Sequence, residues 1–253
     1  MRYRYTFLTL CRFEPSVRLH SFKLRVLPME SAVQHVLESH VSVTPCVQLC
    51  QSTDAFGNAI LYGTLRESHE QFVVCSEGRV EKSSEPLSAP SHAPYYHYAT
   101  ALTAWDASLQ ALCQGRSPED IMHVLHSRLQ YERFVTDNST TALQALTLGR
   151  GVCQDYAHLM IAGCRAAGYA ARYVGGLVEG EGETHAWVEV HEGGCWHAYD
   201  PTHDSRAGEG FLKIAHGRDA SDCPVNRGRF YQWTSEIMEV KCKVTHDTDS
   251  DFT

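Results

Sequence analysis

Hydrophobic and polar residues alternate with a period of two over the first third of the chain and with a period near 3.6 after it. Residues 1–82 hold short runs rich in β-branched and aromatic residues, YRYTFLTL, SFKLRVLP, HVSVTPCVQL, AILYGTL and EQFVVCS, separated by PME, TDAFGN and SEGR. Such runs between turn residues predict an all-β region. The stretch EKSSEPLSAPSHAP at 81–94, with three prolines and four serines, predicts an extended linker. Beyond it, YATALTAWDASLQALCQ at 98–114 puts Leu102, Trp105, Leu109 and Leu112 on one helical stripe. SPEDIMHVLHSRLQ opens a second helix with Ser117 as N-cap and Pro118 at its first position. STTALQALTLG gives a third, stopped by Gly149. A C-terminal strand, SEIMEVKCKV, is expected to return and pair with one of the sheets, so the termini need not mark a domain boundary.

A fourth helix is predicted within GRGVCQDYAHLMIAGC at 149–164, where Cys153, Ala157, Met160, Ile161 and Cys164 recur at helical spacing. Cys153 then heads the inward stripe at a helix N-terminus, where free backbone N–H groups and the macrodipole favour an anion. Cys164, three turns deeper, is expected to be inert core. A thiol at a helix start is weak evidence by itself, because free cysteine is among the most buried residue types. It needs a base.

GETHAWVEVHEGGCWHAYDPTHD at 182–204 supplies one. Two strand-like runs flank Gly193 and Gly194, a pair suited to a tight hairpin turn. With a two-residue turn, Asp200 stands opposite Trp187 and on the same face as His185, near enough for the side chains to meet. A three-residue turn puts them on opposite faces. A thiol, an imidazole to take its proton and a carboxylate to orient the imidazole form a set suited to nucleophilic catalysis. Of the fifteen histidines, His158 points to another side of its helix, and His191, His197 and His203 lack the combination of strand face and carboxylate partner.

Composition narrows the partners. The 253 residues are 43% hydrophobic and 21% charged, an ordinary globular balance able to bury a sizeable core. A net charge of −8 without a Lys/Arg-rich block argues against nucleic acid or an anionic membrane as the main partner. No secretory leader or membrane-length apolar run is read, so a cytoplasmic location is expected. Ten scattered cysteines are then expected as reduced thiols. Cys46 and Cys50 have no second Cys/His pair at zinc-finger spacing, so no metal site and no cofactor is expected.

GRGVCQDYAHLMIAGCRAAGYAARYVGG, THAWVEV and WHAYDPTHD together resemble the core of the bacterial transglutaminase-like superfamily. LRVLP and TDAFGN resemble the β-rich N-terminal domain that precedes this core in bacterial members, and IAHGRDASDCPVNRGRF resembles the segment after it. The resemblance implies an α+β fold: an N-terminal β-sandwich-like domain over residues 1–85, then a papain-like transglutaminase core with the C-terminal strand over 86–253. It implies Cys153 as nucleophile, His185 as general base and acid, and Asp200 as orienting carboxylate. One departure is Ala198, where glycine is expected before the aromatic Tyr199. The implied activity is that of a thiol enzyme acting on a peptide or protein amide through a thioester, with water as the expected acceptor because prokaryotic relatives include peptidases and amidases. Cross-linking by a primary amine is the alternative, and a non-catalytic binding module a further one. A zinc-bearing deglycosylating relative is disfavoured by the missing paired CxxC motifs. Glu179, Glu181 and Glu183 in VEGEGETH are expected on a mobile solvated loop, without calcium dependence.

Overall fold

The structure, a computed structural model, describes residues 1–248. It is α+β. Six strands come first: β1 (Arg2–Val17), β2 (His20–Leu24), β3 (Gln34–Thr44), β4 (Cys50–Thr53), β5 (Ala59–Leu65) and β6 (His69–Lys82). A middle section follows with β7 (Leu87–Ser88), α1 (Ala107–Cys113), α2 (Pro118–His126), β8 (Gln130–Tyr131), α3 (Ala142–Leu148), β9 (Arg150–Gly151) and α4 (Cys153–Ala166). The rest is strands: β10 (Ala171–Val178), β11 (Gly180–Gly182), β12 (His185–Glu192), β13 (Cys195–Asp200), β14 (Ser205–Arg206), β15 (Phe211–Gly217), β16 (Asn226–Arg229) and β17 (Ser235–His246).

The period-two pattern builds the first layers. In β1, Tyr3, Tyr5, Phe7, Thr9, Cys11 and Phe13 are all buried while most residues between them face outward, so one side of the strand is core. A 5-stranded sheet in the order β11-β17-β1-β6-β3 faces a 4-stranded sheet in the order β16-β2-β5-β4. Phe72 of the first and Phe22 of the second meet with ring centroids 4.7 Å apart. The C-terminal strand does return: β17 pairs along β1 from Tyr3↔His246 to Glu14↔Ser235. A third, 6-stranded sheet in the order β14-β13-β12-β10-β15, with β7 on β13, carries the candidate site.

The caps read from sequence are in place. Ser117 Oγ accepts from the Asp120 N–H at 3.2 Å, Thr141 and Gln144 form a capping box, and Gly149 ends α3 at φ 69°. The stripe at 98–114 is only half helical, because α1 starts at Ala107 under an Asp106 cap. Upstream, the Thr100 and Thr103 hydroxyls take each other's backbone N–H groups at 3.2 Å, and the Leu102 carbonyl accepts from Ala142 N–H. These bonds use the backbone groups a helix would need. The linker is extended but not loose. Leu87 and Ser88 pair with Trp196 and Cys195, and Ala89 N–H donates to Gly194 O at 2.8 Å, so the segment straps the β12–β13 hairpin.

The two facing sheets bury an imidazole pair, His20 Nδ1 lying 3.1 Å from His69 Nε2 with Phe13, Phe22, Phe72 and Phe230 around His20. Burial, and then the neighbouring His69, lower the His20 pKa to about 4. The unfolded chain takes up this proton near the ordinary pH of about 6.5 and the folded chain does not until near pH 4. Stability is therefore complete above that ordinary value and declines by about 1.4 kcal/mol per pH unit as the pH falls through the window. Urea unfolding of wild type and His20→Phe between about pH 4 and 7 checks this. The variant should have a flatter pH dependence, and an equally steep one would rule out His20 as a source.

Candidate active site

The site is built at the start of α4. β9 pairs in parallel with β8, Tyr131 opposite Gly151, and the chain turns into the helix at the extended Val152. Asp155 Oδ2 fixes the turn by accepting from Val152 N–H at 2.8 Å and Thr136 Oγ1 at 2.7 Å. A Cβ on Gly151 would lie 2.6 Å from that same oxygen, so the position before the cap requires glycine. Burial pushes the Asp155 carboxyl up, against the hydrogen bonds from Thr136 and Val152. From Asp155 to Ala166 every residue of α4 is buried, with α1, α2 and α3 packed on the helix together with β10 and β12. The predicted single inward stripe is thus too narrow, because the helix is enclosed on all sides. Only its first residues, Cys153 and Gln154, are half-exposed.

The imidazole and the carboxylate come from the β12–β13 hairpin. Residues pair from Glu192↔Cys195 to Val188↔Tyr199, the two-residue-turn register, with Gly193 at φ 57° and Gly194 at φ 82°. Two positive φ values in succession suit glycine and strain other residues. The register brings His185 and Asp200 to one face, where His185 Nε2–H donates to Asp200 Oδ2 at 2.8 Å. The Cys153 thiol lines the same cleft as His185 and interacts with its ring, and Nδ1 is the ring nitrogen that Asp200 leaves free. All three residues foreseen from the sequence are brought together.

The electrostatics match the geometry. Burial disfavours the His185 imidazolium, but hydrogen bonds and charge from Asp200 and Cys153 outweigh it and raise the pKa to about 9. Asp200 is fully buried, which alone would raise its carboxyl, yet His185 and His203 hold it below the ordinary carboxylate value. Its Oδ1 accepts from Thr202 N–H at 3.0 Å. His203 is the residue the sequence reading passed over: its Nδ1 lies 2.7 Å from the same Asp200 Oδ2. Its one signal was its place three residues after Asp200, beyond a proline.

His185, Asp200 and His203 form a group, among the described residues, whose possible metal-ligand atoms lie within 4.8 Å of one another. Both imidazoles direct a ring N–H at one carboxylate oxygen, so the group is a closed hydrogen-bond network rather than an open set of lone pairs. His158 is packing: it is fully buried, its Nε2 accepts from Ala220 N–H at 3.1 Å, and burial lowers its pKa to about 4. His191 Nε2–H donates to the strap at Ala89 O.

Cys153 and His185 line a cleft of about 670 Å³, with Gln154, Tyr173, Arg133 and His203 among its walls. A second hollow of about 370 Å³ shares Gln154, Tyr173 and Thr184 with it and runs on to Met238 and Val240. The acidic segment differs from the expected loose loop. Residues 180–182 form β11 against β17, and Glu181 pairs with Lys243 at 2.6 Å, Glu183 with Arg133 at 2.7 Å and Glu179 with His246 at 3.1 Å. Each carboxylate has its own partner, so the three do not gather around one point.

Fold and site together define a class, an α+β protein in which a thiol at the start of an enclosed helix meets an imidazole and a carboxylate on a neighbouring antiparallel hairpin. Residues 97–201 match the transglutaminase-like superfamily and residues 3–81 the bacterial transglutaminase-like N-terminal region, and the chain belongs to that superfamily. A protein of Mycobacterium leprae (strain TN) described as uncharacterized is 26% identical, over 87% of this chain and 90% of its own. One of Mycobacterium tuberculosis (strain H37Rv), also described as uncharacterized, is 27% identical over 91% and 88%. The solved structure of a "Putative Cysteine Protease" from Cytophaga hutchinsonii superposes with a TM-score of 0.81 at 24% identity, covering 100% of this chain and 92% of that one, and so shares its fold.

Proposed function

We propose that the protein is a thiol enzyme that breaks an amide bond through Cys153, His185 and Asp200 and passes the acyl group from a thioester to water. The carrying observation is the arrangement itself: Cys153 and His185 line one cleft, and His185 donates to the buried Asp200. An imidazolium beside the sulfur favours the thiolate. The thiolate attacks the amide carbonyl, and N–H groups at the start of α4, including that of Cys153, receive the developing oxyanion. His185 donates its proton to the departing nitrogen, which leaves as amine or ammonia. Water then attacks the thioester, gives a proton to His185, and releases the carboxylic acid and the thiolate. The description of the Cytophaga hutchinsonii protein agrees with this reading.

The acceptor is tested by incubating the protein with glutamine-containing peptides, with and without a primary amine, and reading the products by mass. Hydrolysis predicts free acid as the main product in both. Amine adducts in excess over acid would make the protein a transamidase, and no turnover in either would remove the enzyme reading.

A further inference from the structure

His203 stands outside the triad yet shares its carboxylate. β13 ends at Asp200, and the turn through Pro201 brings Thr202 N–H onto Oδ1 and His203 Nδ1–H onto Oδ2. His185 and His203 therefore donate to one oxygen, at 2.8 and 2.7 Å, with their rings 5.3 Å apart. The His203 side chain is 65% exposed and lines the cleft, whereas that of Asp200 is 0% exposed. A ring this exposed buries little apolar surface, so packing alone does not place it here. Two donors on one oxygen also compete, since each draws on the charge that would hold the other.

We propose that His203 is a positioning residue for the Cys153–His185 pair, fixing Asp200 through its Nδ1–H and limiting how strongly that carboxylate stabilises the His185 imidazolium. The Nδ1–H of His203 takes part of the hydrogen-bonding capacity of the oxygen that also accepts from His185. The other charges near this end of the cleft pair with one another: Asp204 accepts from His123 Nδ1–H at 2.6 Å, and Arg133 meets Glu183. Asp200 and Cys153 are left as the groups that set the charge on His185. The consequence for turnover rests on the thiol-enzyme reading; the effect on His185 does not.

The test is an NMR titration of the His185 ring, identified by its loss in His185→Gln, in wild type, His203→Ala and His203→Asn. Ala removes the donor, while the Asn amide N–H can take the place of Nδ1–H. The expected result is a His185 pKa about 0.5–1 unit higher in His203→Ala and close to wild type in His203→Asn. An unchanged or lowered value in the Ala variant, or an equal shift in both, would overturn the proposal. In the same proteins the alkaline limb of kcat/KM should move up with Ala and return with Asn. Absence of turnover in wild type would count against the proposed function alone, because the titration still decides the role of His203.

Discussion

Cys153→Ala should abolish amide turnover, and His185→Ala should lower kcat/KM by about a thousandfold or more, with the fold intact in both. In the proposed mechanism the sulfur forms the thioester, and the imidazole protonates the leaving nitrogen and pairs with the thiolate. Both side chains are partly exposed, and Asp200 keeps Thr202 and His203 as donors when His185 is removed, so melting midpoints should change little. Asp200→Ala should act in the same direction with a smaller catalytic effect but a larger structural one, since the buried carboxylate accepts from Thr202, His185 and His203. Turnover of one peptide by all three variants, with thermal unfolding alongside, checks this. Near-normal activity in Cys153→Ala would contradict the assigned nucleophile.

Glu189→Ala should be the most damaging change away from the cleft, costing about 3–5 kcal/mol by leaving the buried Arg172 guanidinium without its carboxylate, while Lys213, which burial already lowers to about 7, sheds its proton. Glu189 Oε2 lies 2.6 Å from both the Arg172 guanidinium and Lys213 Nζ, all three side chains nearly buried between β10, β12 and β15. Burial alone would raise the Glu189 carboxyl, but Arg172, Lys213 and His216 hold it well below the carboxylate range. Its contribution is thus present above the unfolded carboxylate value of about 4.3 and fades as the pH falls below it. For a chain of this size the melting midpoint should drop on the order of 10 °C at neutral pH. A drop of only a degree or two would show that water or a rearranged Arg172 replaces the lost charge.

Local features were legible in the sequence because local chemistry determines them. The caps at Ser117 and Thr141, the stop at Gly149 and the two-glycine hairpin that sets the His185–Asp200 register are each dictated by a few neighbouring residues. Period-two patterning likewise exposed the early strands. What pairs across the chain was less visible. The sequence foretold that β17 returns but not that it lies along β1, since strand partners are chosen by the whole core. The enclosure of α4 was hidden for the same reason: Ala162, Gly163 and Ala166 lie off the stripe of Cys153, Ala157, Met160, Ile161 and Cys164, yet their small size lets the surrounding elements approach closely. His203 was not visible because it lies beyond the end of β13, where strand-face reasoning gives it no carboxylate partner, and a shared oxygen leaves no trace in spacing.

The central claim is that Cys153 differs in kind from the other nine cysteines, and site-resolved alkylation tests it most directly. All ten are free thiols; Cys46 and Cys50 are exposed, whereas Cys164 and Cys223 are buried, with burial pushing both of those thiols up. Limiting iodoacetamide between about pH 5 and 9, mapped by mass spectrometry on wild type and His185→Ala, compares them in one experiment. Cys153 should label ahead of the exposed Cys46 and Cys50 below neutral pH, and in His185→Ala it should lose that lead and react only at higher pH. Labelling of Cys153 no faster than Cys46 or Cys50 in the wild type, or a profile unchanged by His185→Ala, would contradict the account.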